Sequence, residues 1–109
     1  MQVPPQISFE NVEHSPAVEA RVRDEIAKLE QFYDRIVATR VVVARPQRRR
    51  HKGDHFQVRL QISVPGAPDI AVSREPADDG GHEDVYVTIR DAFSAARRQL
   101  QDLARKRGD

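Results

Sequence analysis

The polarity pattern of the chain predicts two amphipathic helices. In the first, apolar residues recur every three or four positions, as one helix face requires: Val18, Val22, Ile26, Leu29 and Tyr33. Ser15 is suited to cap this helix and Pro16 to occupy its first position. The same spacing returns after Asp84, a second potential cap, in Val85, Ile89, Ala92, Phe93, Ala96, Leu100 and Leu103.

Four other segments have the patterns of β-strands. Residues 6–12 predict a short strand, and residues 36–44 form a β-branched run typical of a strand near the centre of a sheet. Residues 56–64 alternate apolar and polar side chains, and a Pro/Gly turn then leads into residues 70–73, which predicts an antiparallel hairpin. The order β-α-β-β-β-α favours an α+β fold, a two-layer sandwich in which both helices pack on one face of a four-stranded sheet. The other face would be solvated or bound to a partner through Arg40, Gln57, Arg59, Gln61 and Ser63.

Composition narrows the class of protein. A chain of 109 residues predicts one domain, residues 1–109. The absence of cysteine excludes a disulfide scaffold and a thiol nucleophile, and it suits a reducing compartment such as the cytoplasm. We find no apolar run long enough for a membrane span and expect no secretory signal.

The net charge of +1 is the sum of four strongly charged blocks. Residues 40–59 have a net charge of +6 and residues 90–107 of +4, whereas residues 10–34 have −4 and residues 69–84 have −5. Electrostatic attraction depends on this distribution, so the small total does not exclude a nucleic-acid partner. We expect the last helix and the basic loop, residues 46–54, to face RNA, and the acidic first helix to stay away from it.

Short motifs in both halves of the chain resemble those of a known protein family. The first half contains Asn11-Val12-Glu13, Ser15, Lys28-Leu29-Glu30, Phe32 and Asp34-Arg35-Ile36, and the second contains His82-Glu83-Asp84-Val85-Tyr86, Ile89 and Arg98-Gln99-Leu100. Together, over about residues 6–107, they resemble the ribosome hibernation-promoting factor and ribosome-associated inhibitor A family, also called sigma-54 modulation proteins. The resemblance implies the same β-α-β-β-β-α fold and a cytoplasmic, non-enzymatic stress factor. Such a factor binds the small ribosomal subunit and its rRNA in the mRNA/tRNA channel and silences idle ribosomes.

The sequence departs from this family pattern in two ways. The segment 45–52 is longer and more basic than the corresponding loop of short members, whereas Ala95 and Asp102 stand where the last helix usually has lysines. Some relatives continue into a cold-shock-like domain or a dimerisation domain, and this sequence ends at Gly108-Asp109. We expect either a natural single-domain form or a truncated one, and a monomer or weak homodimer.

The candidate RNA contacts are basic side chains from both helices, the loop and the open sheet face: Lys28, Arg40, Arg45, Arg48, Arg49, Arg50, His51, Lys52, Arg59, Arg90, Arg97, Arg98, Arg105 and Lys106. Arg98 and Arg105 share a helix face that Arg97 borders, whereas Arg90, Arg97 and Lys106 do not fall on one stripe. The alternatives are a solubilising loop, a solvated helix face and, for Lys28, an ion pair with Asp24. Tyr86, at the start of the last helix, is expected either to be half exposed or, as the preferred alternative, to pack in the core.

Other kinds of site are poorly supported by the sequence. His51 and His55 have chelating spacing but no fixed third ligand, so we expect no metal, and we also expect no cofactor and no small-molecule substrate. No nucleophile motif or phosphate-binding glycine loop is present, which makes an enzyme the least favoured class. A structured-RNA-binding module of another kind and a protein–protein adaptor using the sheet face or edge remain open as alternatives.

Overall fold

A computed structural model describes residues 3–45, 56–75 and 85–107 of the chain. Its elements follow the predicted order and have these bounds: β1 Gln6–Glu10, α1 Pro16–Phe32, β2 Ala38–Ala44, β3 Gln57–Ser63, β4 Ile70–Arg74 and α2 Val85–Arg107. The predicted cap Asp84 and the predicted contacts Arg48, Arg49, Arg50, His51 and Lys52 lie outside the described residues.

The four strands form one mixed sheet in the order β1-β2-β3-β4. Strand β1 runs parallel to β2, and the other two pairs are antiparallel, with Val42 opposite Arg59 and Leu60 opposite Val72. The predicted hairpin of β3 and β4 is therefore confirmed. Strand β1 ends before the predicted Val12 because Asn11 has a φ of 57°, a left-handed conformation that interrupts an extended strand and that asparagine tolerates.

Helix α1 begins where the sequence predicts. The Ser15 hydroxyl accepts a hydrogen bond from the Val18 amide at 3.2 Å, and Pro16 occupies the first helical position, where its missing N–H leaves no intrahelical bond unmade. The helix ends at Phe32, and the amide of the capping residue Tyr33 donates to the Leu29 carbonyl at 2.8 Å. The helix thus joins the parallel strands β1 and β2, which need a crossover of about this length.

Both helices cover the same face of the sheet, as the two-layer prediction requires. The core contains fully buried aliphatic side chains from all of these layers: Val22, Val41, Val43, Val58, Ile62, Ile89 and Leu100. On the opposite face, Arg40, Arg59 and Gln61 are exposed, and Gln57 and Ser63 are half-buried. This polar face is the one that the alternation in β3 predicts.

The end of α2 is attached to the turn between β3 and β4. The half-buried Arg107 guanidinium donates to the Pro65 carbonyl, and its second terminal nitrogen lies 3.4 Å from the Tyr33 hydroxyl. Gly66 in this turn has a φ of +70°, and a Cβ added there would lie 2.8 Å from the Arg107 guanidinium. Arg107 therefore has a structural role in the basic end of the helix.

Candidate nucleic-acid interface

A groove runs between α1 and α2 on the outer surface of the helical layer. Glu25, Lys28 and Leu29 of α1 form one wall, and Arg90, Phe93, Ser94 and Arg97 of α2 form the other. Arg90 and Arg97 share the groove because seven residues correspond to about two helical turns. Arg90, Arg97 and Lys106 were predicted not to fall on one stripe, and the groove contains Arg90 and Arg97 but not Lys106.

The groove carries more positive than negative charge. Lys28 and Arg90 have highly exposed side chains, at 70% and 62%. Glu25 is the acid of the groove wall, with a side chain only 13% exposed, and it pairs with Arg21 at 3.1 Å and with Lys28 at 3.7 Å. In the ion-pair alternative for Lys28, the partner is therefore Glu25 and not Asp24. Arg90 pairs with Asp91 at 3.4 Å, and because Lys28 and Arg90 are both highly exposed, each can also reach a phosphate.

Two aromatic side chains stand at the groove, each with an arginine above its ring. The guanidinium carbon of Arg97 lies 4.3 Å from the centre of the Phe32 ring, and that of Arg21 lies 5.9 Å from the centre of the Tyr86 ring. Phe32 and Tyr86 are both 37% exposed. Of the two positions expected for Tyr86, the half-exposed one is found, because its place in the first turn of α2 brings the ring against Arg21 of α1.

The remaining bases of α2 are exposed on two different sides of the helix. Arg98 and Arg105, seven residues apart, form a ridge next to the groove. Lys106 follows Arg97 by nine residues, which is half a turn away from it around the helix axis. Five of the predicted contacts, Lys28, Arg90, Arg97, Arg98 and Arg105, therefore lie on one continuous surface, here called the helical basic face.

Other predicted contacts lie on the opposite side of the sheet or at its end. Arg59 pairs with Glu10 at 2.8 Å, and Arg40 donates to the Gln6 side chain at 3.3 Å, both on the open sheet face. Arg45 follows β2 and places its guanidinium 4.5 Å from the centre of the Phe56 ring. The thickness of the domain separates Arg40 and Arg59 from the groove, so a single flat RNA surface cannot contact both sets.

The acids of α1 do not keep this helix away from the basic surface. Glu19 accepts hydrogen bonds from His14 and from Arg23 on the outer side of α1, and these bonds hold the pKa of Glu19 below its ordinary value. Lys28 meanwhile faces α2 across the groove. Because α1 packs directly beside α2, Lys28 of α1 shares the groove with the bases of α2, and the orientation of α1 relative to RNA stays a prediction.

The family model described as "Sigma 54 modulation protein / S30EA ribosomal protein" matches residues 6–108. The chain belongs to this family. The resemblance found in the sequence motifs is thereby confirmed, and the match extends over both helices and all four strands of this S30EA-family domain.

Solved structures give the same result for the fold of this S30EA-family domain. A ribosomal subunit interface protein from Coxiella burnetii superimposes with a TM-score of 0.72 at 17% identity, covering 91% of this chain and 94% of that one. The N-terminal domain of Protein Y from Thermus thermophilus superimposes with a TM-score of 0.70 at 20% identity, covering 94% of this chain and 99% of that one. At such identities the likeness shows the fold alone.

The S30EA-family domain presents the exposed bases Lys28 and Arg90 along this groove. Within residues 3–45, 56–75 and 85–107, no three His, Cys, Asp or Glu side chains lie close enough together to hold a metal ion. Within the same ranges, neither helix has the length and apolar character that crossing a bilayer demands. His51 and His55, the weak metal candidates, lie outside the described residues.

Proposed function

We propose that this domain binds the small ribosomal subunit through its helical basic face and thereby represses translation. Membership of the S30EA ribosomal protein family over residues 6–108 is the observation that carries the proposal. The gathering of Lys28, Arg90 and Arg97 around one groove gives it a physical basis. The domain acts by occupying a site on the ribosome and needs no catalytic group.

The partner in this proposal is the phosphate backbone of folded rRNA. Arginine offers planar, paired N–H donors that match phosphate oxygens, and Arg97 and Arg98 present two such groups side by side. Arg105 extends this row by two helical turns from Arg98. Because rRNA is folded, shape and backbone contacts dominate over the reading of base edges.

We also propose where the domain binds on the small subunit and how this affects translation. Bound in the mRNA/tRNA channel of the small subunit, the domain excludes both ligands and holds the ribosome in a dormant state. The basic segment 45–52 supplies additional contacts to the channel walls. The family resemblance implies this arrangement, which requires the protein to be in the cytoplasm.

Sedimentation with purified small subunits tests the proposal. At low salt the protein should travel with the subunits, and a rise in potassium chloride should release it, because each phosphate contact displaces counterions. Subunits already loaded with mRNA and tRNA should bind much less protein, and translation in an extract should fall as protein is added. Protein that stays at the top of the gradient with excess empty subunits at low salt would refute the proposal.

A pair of variants tests which face is used. Arg97→Glu reverses a charge in the groove, and Arg40→Glu makes the same change on the open sheet face, where the partner of Arg40 is a neutral glutamine. Arg97→Glu should weaken the association with small subunits far more than Arg40→Glu. Equal losses, or a larger loss for Arg40→Glu, would contradict the assignment to the helical basic face.

A further inference from the structure

Two arginine–aromatic pairs flank the groove, and each joins α1 to α2. Arg97 lines the groove and lies over Phe32, and Arg21, which lies over Tyr86, is ion-paired to the groove residue Glu25. In one pair, Arg21 comes from α1 and Tyr86 from α2; in the other, Phe32 comes from α1 and Arg97 from α2. Eleven residues separate the pair members on each helix. Eleven residues are slightly more than three turns, which keeps both groups of a helix on the same side and separates them by about 16 Å.

Both pairs leave part of an aromatic ring exposed to solvent among the charged side chains of the two helices. Phe32 has no polar atom in its side chain and is nevertheless 37% exposed, although Tyr33 beside it is only 6% exposed. The arginine above each ring adds a second flat group, the guanidinium, 4.3 Å from the ring centre for Arg97 and 5.9 Å for Arg21. A guanidinium that lies on a ring also keeps N–H donors at its edge for phosphates.

The groove carries positive charge that a nucleic-acid backbone could contact. Lys28 and Arg90 each lie between the two pairs along their helix, and Ser94 adds a hydroxyl group. Glu25 keeps Arg21 as its partner at 3.1 Å, so it stays paired when Lys28 contacts a phosphate. A strand whose phosphates follow Lys28 and Arg90 would direct bases toward both pairs.

We infer that the groove binds a single-stranded segment of RNA, with unpaired bases stacked on the Phe32–Arg97 pair and on the Tyr86–Arg21 pair. The inference rests on the proposed function and specifies which kind of RNA this site takes. Unpaired bases stack on aromatic rings and on guanidinium planes, whereas the bases of a duplex are not available for stacking. The separation of about 16 Å would accommodate about five stacked nucleotides at 3.4 Å each.

Binding of short RNA to the wild-type protein gives the first test. The probes are an oligoadenylate, an abasic oligonucleotide of the same length and a duplex of the same length, all measured at one salt concentration. The inference expects the oligoadenylate to bind several-fold or more tightly than the abasic strand, which has the same phosphates but no bases. Equal affinity for these two strands would overturn it, and so would a preference for the duplex.

Two variants identify the rings that are responsible. Phe32→Leu and Tyr86→Leu keep an apolar side chain and remove the ring, and each should lower the affinity for oligoadenylate about 5-fold to 150-fold, the range for loss of one base–aromatic stack. Val87→Ala, which trims a 40% exposed apolar residue without touching a ring, should bind like the wild type. Unchanged affinity in both leucine variants would overturn the inference.

Nuclear magnetic resonance can distinguish base stacking on the Phe32 and Tyr86 rings from a purely structural role in which these rings only join α1 to α2. Stacked bases should shift the ring proton resonances of Phe32 and Tyr86 on addition of oligoadenylate, and the abasic strand should leave them in place. If these resonances do not move while the oligoadenylate binds, the rings merely link α1 to α2 and the inference is wrong.

The test of the proposed function does not depend on the oligoadenylate tests. Co-sedimentation of the wild type with small subunits tests that function without any oligonucleotide. A protein that binds subunits but fails the oligoadenylate tests refutes only the inference.

Discussion

Removing the three cations of the groove should change the salt dependence of small-subunit binding by a calculable amount. Lys28→Ala, Arg90→Ala and Arg97→Ala together delete three of the five bases on the helical basic face. Each lost phosphate contact changes the slope of log Kobs against log salt by roughly 0.7 to 0.9, so the slope should become shallower by about 2 to 3. Between 50 and 200 mM salt, the wild type should therefore lose roughly 20- to 40-fold more affinity than the triple variant.

Fluorescence anisotropy of the labelled protein with small subunits, repeated over a potassium chloride series, measures this slope. The three substitutions lie at exposed positions and leave the core intact, so the thermal unfolding midpoint should change little. Arg40→Ala is the matched control, because it removes one exposed arginine from the open sheet face. A triple variant with the wild-type slope would refute the claim that these side chains contact phosphates, even if its affinity were lower.

Three further predictions concern the scaffold. Ser15→Ala should lower the free energy of unfolding by about 0.5 to 2 kcal/mol in urea denaturation, because the cap of α1 is lost, and Ser15→Asp should restore most of it. Gly66→Ala should cost about 1 to 2 kcal/mol, because an alanine Cβ is strained at the positive φ of this turn and crowds Arg107; an unchanged stability would contradict that. His14→Ala should raise the pKa of Glu19 toward 4.5 in a carboxyl titration. Because this pKa is lowered in the folded state, the stabilisation from Glu19 is present above pH 4.5 and is lost as the pH falls through the folded value; a pKa that stays in place would refute the role of His14.

The fold could be predicted from sequence to nearly the residue because local rules determine most of its boundaries. Ser15 and Pro16 fix the start of α1, and the alternation in β3 fixes which sheet face is buried. The end of β1 was predicted two residues late, because apolar alternation alone does not reveal the left-handed backbone of Asn11. The resemblance to the S30EA family agreed with this independent reading of the fold.

The candidate site was only partly predictable because it depends on which elements become neighbours. Periodicity places Arg90 and Arg97 on one side of α2, but it does not reveal that this side meets Lys28 on α1. Phe32 was not recognised as a surface residue, although its position one residue before the buried Tyr33 turns it away from the core stripe. Charge alone grouped Arg40 and Arg59 with the other bases, whereas the sheet separates them from the groove.

The most direct test of the account is site-specific cross-linking to the small subunit. The chain contains no cysteine, so a single cysteine can carry a thiol-reactive photo-crosslinker without background labelling. Ser94→Cys places it in the groove between the helices, and Ser73→Cys places it on the exposed sheet face. The account predicts strong cross-links from position 94 to small-subunit rRNA of the mRNA/tRNA channel and weaker ones from position 73. Cross-links to rRNA from position 73 alone would contradict the claim that the helical basic face binds the ribosome.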